Sequence, residues 1–131
     1  MTVLVTGAAG FIGFHTARQL LGRGDKVIGV DNLNDYYDVS LKQARLDVLG
    51  GLDWFRFECL DIADRGAVED LIARHGEITR VVHLASQAGV RHSLTNPYAY
   101  THANVEGHLV LLETCRTLAR LDHFVYASSS S

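Results

Sequence analysis

The sequence predicts an α/β fold built on a parallel sheet with helices on both faces. Short, β-branched apolar runs are predicted as strands at 3–5, 26–30, 54–57, 80–84 and 123–126. Helical segments near 11–22, 39–49, 64–75 and 97–120 separate these strands. Near-continuous apolar strands joined by helices are typical of right-handed parallel crossovers, and the expected strand order is 3-2-1-4-5. In such sheets ligands bind beyond the carboxyl ends of the strands.

Capping residues support the helix boundaries. Asp64 can cap the third helix, and Asn96 followed by Pro97 supplies an N-cap and a first-position proline for the fourth. Gly76, which follows His75, suits the end of a helix. No low-complexity linker or internal repeat marks a boundary, so residues 1–131 are predicted to form one domain.

Composition and charge narrow the class of protein. A chain of 131 residues with 47% hydrophobic and 21% charged residues is long enough to bury its own core. The formal charge is -3 without a basic stripe, so we expect no nucleic-acid partner. Cys59 and Cys115 are interpreted as buried free thiols in a reducing compartment. Met1 precedes a strand-like run without an export signal or a long apolar span, so we expect a cytoplasmic location and no membrane partner.

The seven histidines raise the question of a metal site. None of them shows a paired ligand spacing, and His102 and His108 would face different sides of a helix. We therefore expect no metal ion. His83 lies within the fourth predicted strand and is interpreted as a hydrogen-bonded core histidine.

A glycine loop follows the first strand in "VLVTGAAGFIGFHTARQLL". Gly7 permits a tight turn, Gly10 lets the backbone approach a pyrophosphate, and Gly13 lets helix and strand pack closely. The helix N-terminus would then offer free amides to the phosphates. The spacing is Gly-x-x-Gly-x-x-Gly, and the alternative is a glycine-rich turn without a ligand. The strand, loop and helix context favours a Rossmann-type, doubly wound dinucleotide-binding fold.

Carboxylates follow the next two strands. Asp31 lies directly after "VIGV", 18 residues beyond Gly13, where it can accept hydrogen bonds from adenosine ribose hydroxyls. It would repel a 2'-phosphate, so NAD is favoured over NADP; a solvated turn aspartate is the alternative. Asp61 and Ile62 follow the third strand and could flank an adenine ring, although Asp61 could equally be a charge at a helix start.

Four stretches of the sequence resemble a known family. The first is residues 5–46, which include "DNLNDYYDVSLKQARL". The others are "HLASQAGVRHSLTNPYAY", "NVEGHLVLLETCR" and "FVYASSSS". With these residues the chain resembles the extended short-chain dehydrogenase/reductases of the NAD-dependent epimerase/dehydratase group. Within that group it is most similar to the UDP-glucuronate 4-epimerases, over essentially all 131 residues. The resemblance implies an isomerase that moves the hydride of a nucleotide sugar at C4 to NAD and returns it to the other face.

The resemblance also implies roles for individual residues. The pyrophosphate would be held by Gly7, Gly10, Phe11, Ile12 and Gly13. The adenosine ribose would be bound by Asp31 and Asn32, and the adenine by Asp61 and Ile62. The rest of the cofactor cleft would be lined by Leu84, Ala85, Ser86 and Asn104. A UDP-sugar substrate would be approached by Gln87 and Arg91. Ser86 stands where the family usually has alanine, and His92 where it usually has tyrosine.

The final serines are interpreted as part of an active-site wall because they follow a strand end; a frayed polar tail is the alternative. The resemblance implies that Ser129 hydrogen-bonds the reacting sugar oxygen, with Ser128 and Ser130 as alternatives. The family's base is a tyrosine with a lysine four residues later. The only lysines are Lys26 and Lys42, and neither has a tyrosine four positions before it. We therefore expect an incomplete NAD-binding domain, truncated before the Tyr-x-x-x-Lys pair and inactive alone.

Other interpretations remain open. A nucleotide-sugar 4,6-dehydratase would share these features, and a non-catalytic NAD-binding module would not need the Tyr-x-x-x-Lys pair.

The fifth strand is expected to form an exposed apolar edge, so a homo-oligomer is predicted through residues 123–128.

Overall fold

The computed structural model describes residues 1–129 and contains one parallel sheet of five strands. In chain order the strands are β1 Thr2–Thr6, β2 Lys26–Asp31, β3 Phe55–Cys59, β4 Ile78–His83 and β5 His123–Tyr126. Their order in the sheet is β3-β2-β1-β4-β5. This order confirms the prediction of a Rossmann-type doubly wound sheet, in which the chain reverses its direction of winding between β1 and β4.

The strand register brings the carboxyl ends of the central strands together. Val5 pairs with Gly29 of β2 on one side and with Val82 of β4 on the other. All five residues of β1 are buried because the strand has a neighbour on each side and helices on each face. The loops that follow β1, β2 and β4 therefore leave the sheet side by side.

Seven helical segments connect the strands: α1 Phe11–Gly22, α2 Val39–Gly50, α3 Arg65–Arg74, α4 His92–Thr95, α5 Pro97–Tyr100, a π-helical segment Thr101–Glu106 and α6 Gly107–Cys115. The first three lie within one residue of their predicted limits. Both predicted caps are present, since Asp64 accepts from the amide of Ala67 and Asn96 from the amide of Ala99.

The helical segment predicted near 97–120 begins at Pro97 as expected, but it ends at Cys115, before the predicted limit. The segment begins as α5, widens into the π-helical turn and ends as α6 at Cys115. Gly107 starts α6 against Ile62, where an added Cβ would lie 2.7 Å from the Ile62 Cγ1 atom. The end is marked by Thr117, whose hydroxyl donates to the Thr114 carbonyl in place of a further helical bond.

The core has two layers because side chains of β1 alternate between the sheet faces. Leu4 packs with Val68 and Leu111 on the face covered by α3 and α6. Val3 and Val5 pack on the opposite face, which α1 and α2 cover. The sheet is thus enclosed on both sides, as its near-continuous apolar strands predict.

The two cysteines differ in their surroundings. Cys115 is a buried free thiol, as expected, and its burial raises its pKa to about 11. The prediction for Cys59 was wrong, since this free thiol is exposed. Cys59 ends β3, which is the edge strand among the described residues, so a neighbouring strand (β2) lies on only one side of it.

An ionic cluster joins β3 to the end of α3. The guanidinium of Arg74 binds both carboxylate oxygens of Glu58, at 2.7 and 2.9 Å, and its Nε binds Asp70. His75 Nε2 lies 3.1 Å from Glu58 Oε1. The hydrogen bond from Arg74 is the main reason that the pKa of Glu58 falls to about 2.

Over residues 1–129, no helix has the length and apolar character needed to cross a bilayer. In the same part of the chain no three His, Cys, Asp or Glu side chains are grouped so that they could hold a metal ion.

Candidate functional site

A cleft lies where β1, β2, β3 and β4 end. Its walls come from the glycine loop, the loop after β2, the first residues after β3 and the loop after β4. The lining residues are Gly7, Gly10, Val30, Asp31, Asn32, Asn34, Tyr36, Tyr37, Lys42, Leu60, Asp61, Ile62, Leu84, Ala85, Ser86, Gln87, Ala88 and Ala103. Most of the residues predicted to bind a cofactor are thus brought together at one edge of the sheet.

The glycine loop is packed so tightly that a side chain has no room at Gly7 or at Gly13. Gly7 has a φ of 72°, and a Cβ there would lie 3.0 Å from the amide nitrogen of Ala85. A Cβ on Gly13 would lie only 1.9 Å from the carbonyl oxygen of Gly7. Helix α1 therefore begins in direct backbone contact with the end of β1, and the loop after β4 rests on Gly7.

The N-terminus of α1 has no side-chain cap. Its N-cap residue is Gly10, whereas α2 is capped by Asp38, which accepts from the Ser40 amide at 2.8 Å. The side chains of Phe11 and Ile12 are exposed, and neither residue is among those that line the cleft; Gly10 is the part of this helix start that does. An uncapped helix start beside a cleft offers amide donors and a partial positive charge to an anion, which fits a pyrophosphate group.

Asp31 is only 8% exposed and its carboxylate is fixed by backbone amides. Its Oδ2 accepts from Ala9 at 3.1 Å, and its Oδ1 accepts from Leu33 at 2.9 Å. A carboxylate has about four acceptor positions, so each oxygen can accept a further bond. Asp31 therefore anchors the glycine loop to the loop after β2 and still presents acceptors to the cleft, beside Asn32.

Two side chains hold the loop after β4 in place. The Thr6 hydroxyl accepts from the amides of Leu84 and Ala85, both at 3.0 Å, and lies 2.7 Å from His83 Nδ1. Since a threonine hydroxyl has one proton and two lone pairs, that proton is donated to Nδ1. Burial lowers the pKa of His83 to about 4, which agrees with a neutral ring. His83 is thus a hydrogen-bonded core histidine, as interpreted from the sequence.

Asn104 acts on the same loop from the π-helical segment. Its Oδ1 accepts from the amide of Gln87 at 2.7 Å, and its Nδ2 donates to the Gln87 carbonyl at 3.1 Å. The two bonds fix the backbone where the cleft wall turns. The π-helical widening places Asn104 at this point, and such widenings are frequent at functional sites.

Asp61 has a partner that the sequence reasoning missed. Its Oδ2 accepts from His102 Nε2 at 2.6 Å, and its Oδ1 accepts from the Ala63 amide at 2.9 Å. The hydrogen bond that His102 donates to Asp61 raises the pKa of His102, with Glu106 as a weaker neighbour at 3.5 Å. Asp61 is therefore held in position beside the buried Ile62.

The residues predicted for the substrate side are distributed along one edge. Gln87 is buried in the cleft wall, whereas Arg91 is exposed at the start of α4. The Ala127 amide donates to the His83 carbonyl, so Ser128 and Ser129 leave the sheet beside the loop after β4. Ser130 lies outside the described residues. The substrate and catalytic roles of these residues stay predictions.

Aromatic residues that were assigned no role line the outer part of the cleft. The Tyr36 ring contacts Tyr37 edge to face and His92 in a tilted arrangement, with ring centroids 4.7 Å apart in each pair. The Tyr100 hydroxyl donates to the carbonyls of Ala88 and Gly89. These contacts join the loop after β2 to the loop after β4. The tyrosine pair in "NDYYD" was the available signal.

Sheet order, glycine loop and cleft position together define a Rossmann-type protein with a site for a nucleotide at the switch point. A sequence profile of the NAD dependent epimerase/dehydratase family matches residues 3–131. The chain belongs to that family.

Individual relatives agree with this assignment. The chain is 53% identical to an uncharacterised 37.6 kDa protein of Escherichia coli O111:H-, covering 100% of the chain and 38% of that protein. It is 49% identical to UDP-glucuronate 4-epimerase 4 of Arabidopsis thaliana, covering 100% and 30%. Its fold matches the crystal structure of UDP-glucuronic acid 4-epimerase from Bacillus cereus in complex with UDP-glucuronic acid and NAD, with a TM-score of 0.89, 34% identity and coverage of 100% and 41%. The chain thus spans between 30% and 41% of the length of these relatives.

Proposed function

We propose that this chain is the NAD-binding part of a UDP-sugar 4-epimerase, with UDP-glucuronate as the substrate of the whole enzyme. The observation that carries the proposal is the uncapped start of α1 facing the same cleft as the fixed carboxylate of Asp31. The names of the relatives support the choice of cofactor and sugar.

Different residues of the chain would bind different parts of NAD. The glycine loop and the first amides of α1 would bind the pyrophosphate, and Asp31 with Asn32 the adenosine ribose. Asp61, fixed by His102, and Ile62 would flank the adenine. Leu84, Ala85 and Ser86, held by Thr6 and Asn104, would line the nicotinamide end. Bound NAD supplies the hydride acceptor and donor of the reaction.

The substrate side is proposed more sparsely. Gln87 and Arg91 would approach the sugar nucleotide, and Ser129 would hydrogen-bond the reacting sugar oxygen. The printed sequence contains no Tyr-x-x-x-Lys pair, which the family uses as its base. We therefore propose that the 131-residue chain binds NAD without epimerising substrate alone, and we expect no change at C4 when UDP-glucuronate is added.

An association surface is proposed at the edge of the sheet. Among the described residues β5 has a neighbour on one side only, and Val125 and Tyr126 are exposed. An apolar strand edge can pair with another copy of the chain. Light scattering at high concentration is expected to give a dimer or larger species, and a monodisperse monomer would contradict this proposal.

Calorimetric titration with NAD tests the proposed function. The wild-type chain is expected to bind NAD saturably at one site. Asp31→Ala removes charge-assisted hydrogen bonds, each of which contributes about 1.5–3 kcal/mol, so its affinity is expected to fall by roughly tenfold to a hundredfold. Asp53→Ala is the matched control, since Asp53 is an exposed aspartate outside the cleft lining. Equal affinities of Asp31→Ala and wild type, or no binding by any of the three proteins, would overturn the proposal.

A further inference from the structure

Lys42 is a buried cation that the fold itself does not neutralise. The residue is 6% exposed, although lysine is rarely buried without a charged partner. Its ammonium donates to the Asn34 carbonyl at 2.7 Å and to Asn34 Oδ1 at 3.1 Å, and both acceptors are neutral. Within residues 1–129 Lys42 forms no ion pair.

The position of Lys42 in α2 adds to the energetic cost of burying its charge. It lies in the first turn and a half of the helix, close to the end where the peptide dipoles carry partial positive charge. The nearby cap residue Asp38 is occupied by the amide and the hydroxyl of Ser40. Neither the helix nor its cap therefore accounts for a buried ammonium at this place.

Asp31 presents the opposite charge in the same cleft. It is equally buried, and its two identified partners are the neutral amides of Ala9 and Leu33. Asp31 and Lys42 both line the cleft but are not within ion-pair distance of each other among the described contacts. Buried charges normally pair directly or bind a ligand. The cleft therefore presents a charged acceptor and a charged donor to whatever it binds.

We propose that Lys42 and Asp31 together bind the vicinal diol of the adenosine ribose, and that Lys42 determines how strongly Asp31 selects against a phosphorylated ribose. An ammonium has three N–H donors, and Asn34 takes two of them. A hydroxyl group can donate to Asp31 and accept the third N–H of Lys42. A neutral diol therefore satisfies both charges at once. This inference rests on the proposed binding of a dinucleotide.

The opposite charges of Asp31 and Lys42 should influence whether NAD or NADP binds. With both residues present, a 2'-phosphate gains attraction from Lys42 but meets repulsion from Asp31. Asp31→Asn keeps the shape of the side chain and leaves Lys42 as the charged member of the pair. That variant should favour a phosphorylated ribose, and the preference should depend on Lys42.

Four proteins test this dependence by titration with NAD and with NADP: wild type, Asp31→Asn, Lys42→Met and the double variant. Wild type is expected to prefer NAD, and Lys42→Met to bind NAD at least tenfold more weakly. Asp31→Asn is expected to shift the ratio of NADP to NAD affinity at least tenfold towards NADP, and the double variant to lose that shift. Lys26→Met is the control, since Lys26 is the other lysine and lies over the Trp54 ring outside the cleft lining.

Melting temperatures without ligand separate binding from structural support. If Lys42 only holds Asn34, Lys42→Met will melt earlier while the ratio of NADP to NAD affinity stays at the wild-type value, and the inference is overturned. The inference alone also fails if wild type binds NAD and Lys42→Met binds it equally well, or if the double variant keeps the shift towards NADP. Absence of NAD binding in wild type would overturn the proposed function and this inference together.

Discussion

Replacing Gly13 by alanine tests the close contact between α1 and the end of β1. The added Cβ would lie 1.9 Å from the Gly7 carbonyl oxygen and 2.7 Å from the Gly7 carbonyl carbon. Both atoms are backbone, so the loop or the helix must move by more than an ångström to restore ordinary contact. Overpacking of this kind costs about 1–3 kcal/mol, and here no flexible side chain can absorb it.

The expected net effect follows from two opposing terms. Alanine is favoured over glycine inside a helix by about 1 kcal/mol, which offsets part of the steric cost. Because the clash is with backbone, we take the upper end of that cost and expect the free energy of unfolding to fall by about 2 kcal/mol. For a domain of this size that lowers the melting temperature by roughly 8 °C. NAD affinity should also fall, because Gly7 and the start of α1 are displaced.

Gly22→Ala in the same helix is the matched control. An added Cβ at Gly22 meets no atom within 4 Å, and the residue is the last of α1. This variant is expected to be unchanged or stabilised by about 0.4–1 kcal/mol through the unfolded state. Thermal unfolding followed by circular dichroism measures both variants. If Gly13→Ala melts at or above the temperature of Gly22→Ala, the close packing of the glycine loop is refuted.

Two further predictions concern pH. Glu58 has a folded pKa of about 2 against an ordinary value of 4.5, so its pairing stabilises the fold above pH 4.5 and that stability is lost as pH falls towards 2. Since Arg74 is 45% exposed, solvent screening reduces the contribution of this pairing to the free energy of unfolding to about 1 kcal/mol. Glu58→Gln should flatten the acid limb of a plot of unfolding free energy against pH, and the control Glu69→Gln should not. Identical acid limbs in wild type and Glu58→Gln would argue against the cluster. His102 has a raised pKa, so its contribution is complete below about pH 6.5 and is lost as pH rises through the folded pKa. NMR titration of the imidazole should give a midpoint above about 6.5 that Asp61→Asn lowers, and an unshifted midpoint in wild type would contradict the contact.

Sequence patterns predicted the sheet well because its signals are local. Apolar runs, the glycine spacing and the caps at Asp64 and Asn96 each act within a few residues, and the structure has them where expected. Strand order followed from the handedness of crossovers. Gly7, Asp31 and Asp61 were brought into one cleft because all parallel strands end at the same edge of the sheet.

The features that sequence reasoning missed depend on distant contacts. The π-helical widening at Thr101–Glu106 accompanies the bonds between Asn104 and Gln87, 17 residues apart in sequence. Lys42 has the spacing of an ordinary helix residue, and only the folded loop around Asn34 buries it. Cys59 lies in an apolar run, but the exposure of its strand depends on which strands are outermost.

Amide shift mapping with NAD tests the central claim most directly. A labelled 131-residue chain is titrated with NAD, and the account predicts that the shifted amides cluster at Gly7, Gly10, Asp31 and the loop from Leu84 to Gln87. The groove between α3 and α6, lined by Arg65, Glu69, Leu109 and Glu113 among others, serves as the internal comparison. Shifts confined to the cleft would support the account. Shifts centred on the α3 and α6 groove, or none at saturating NAD, would contradict it.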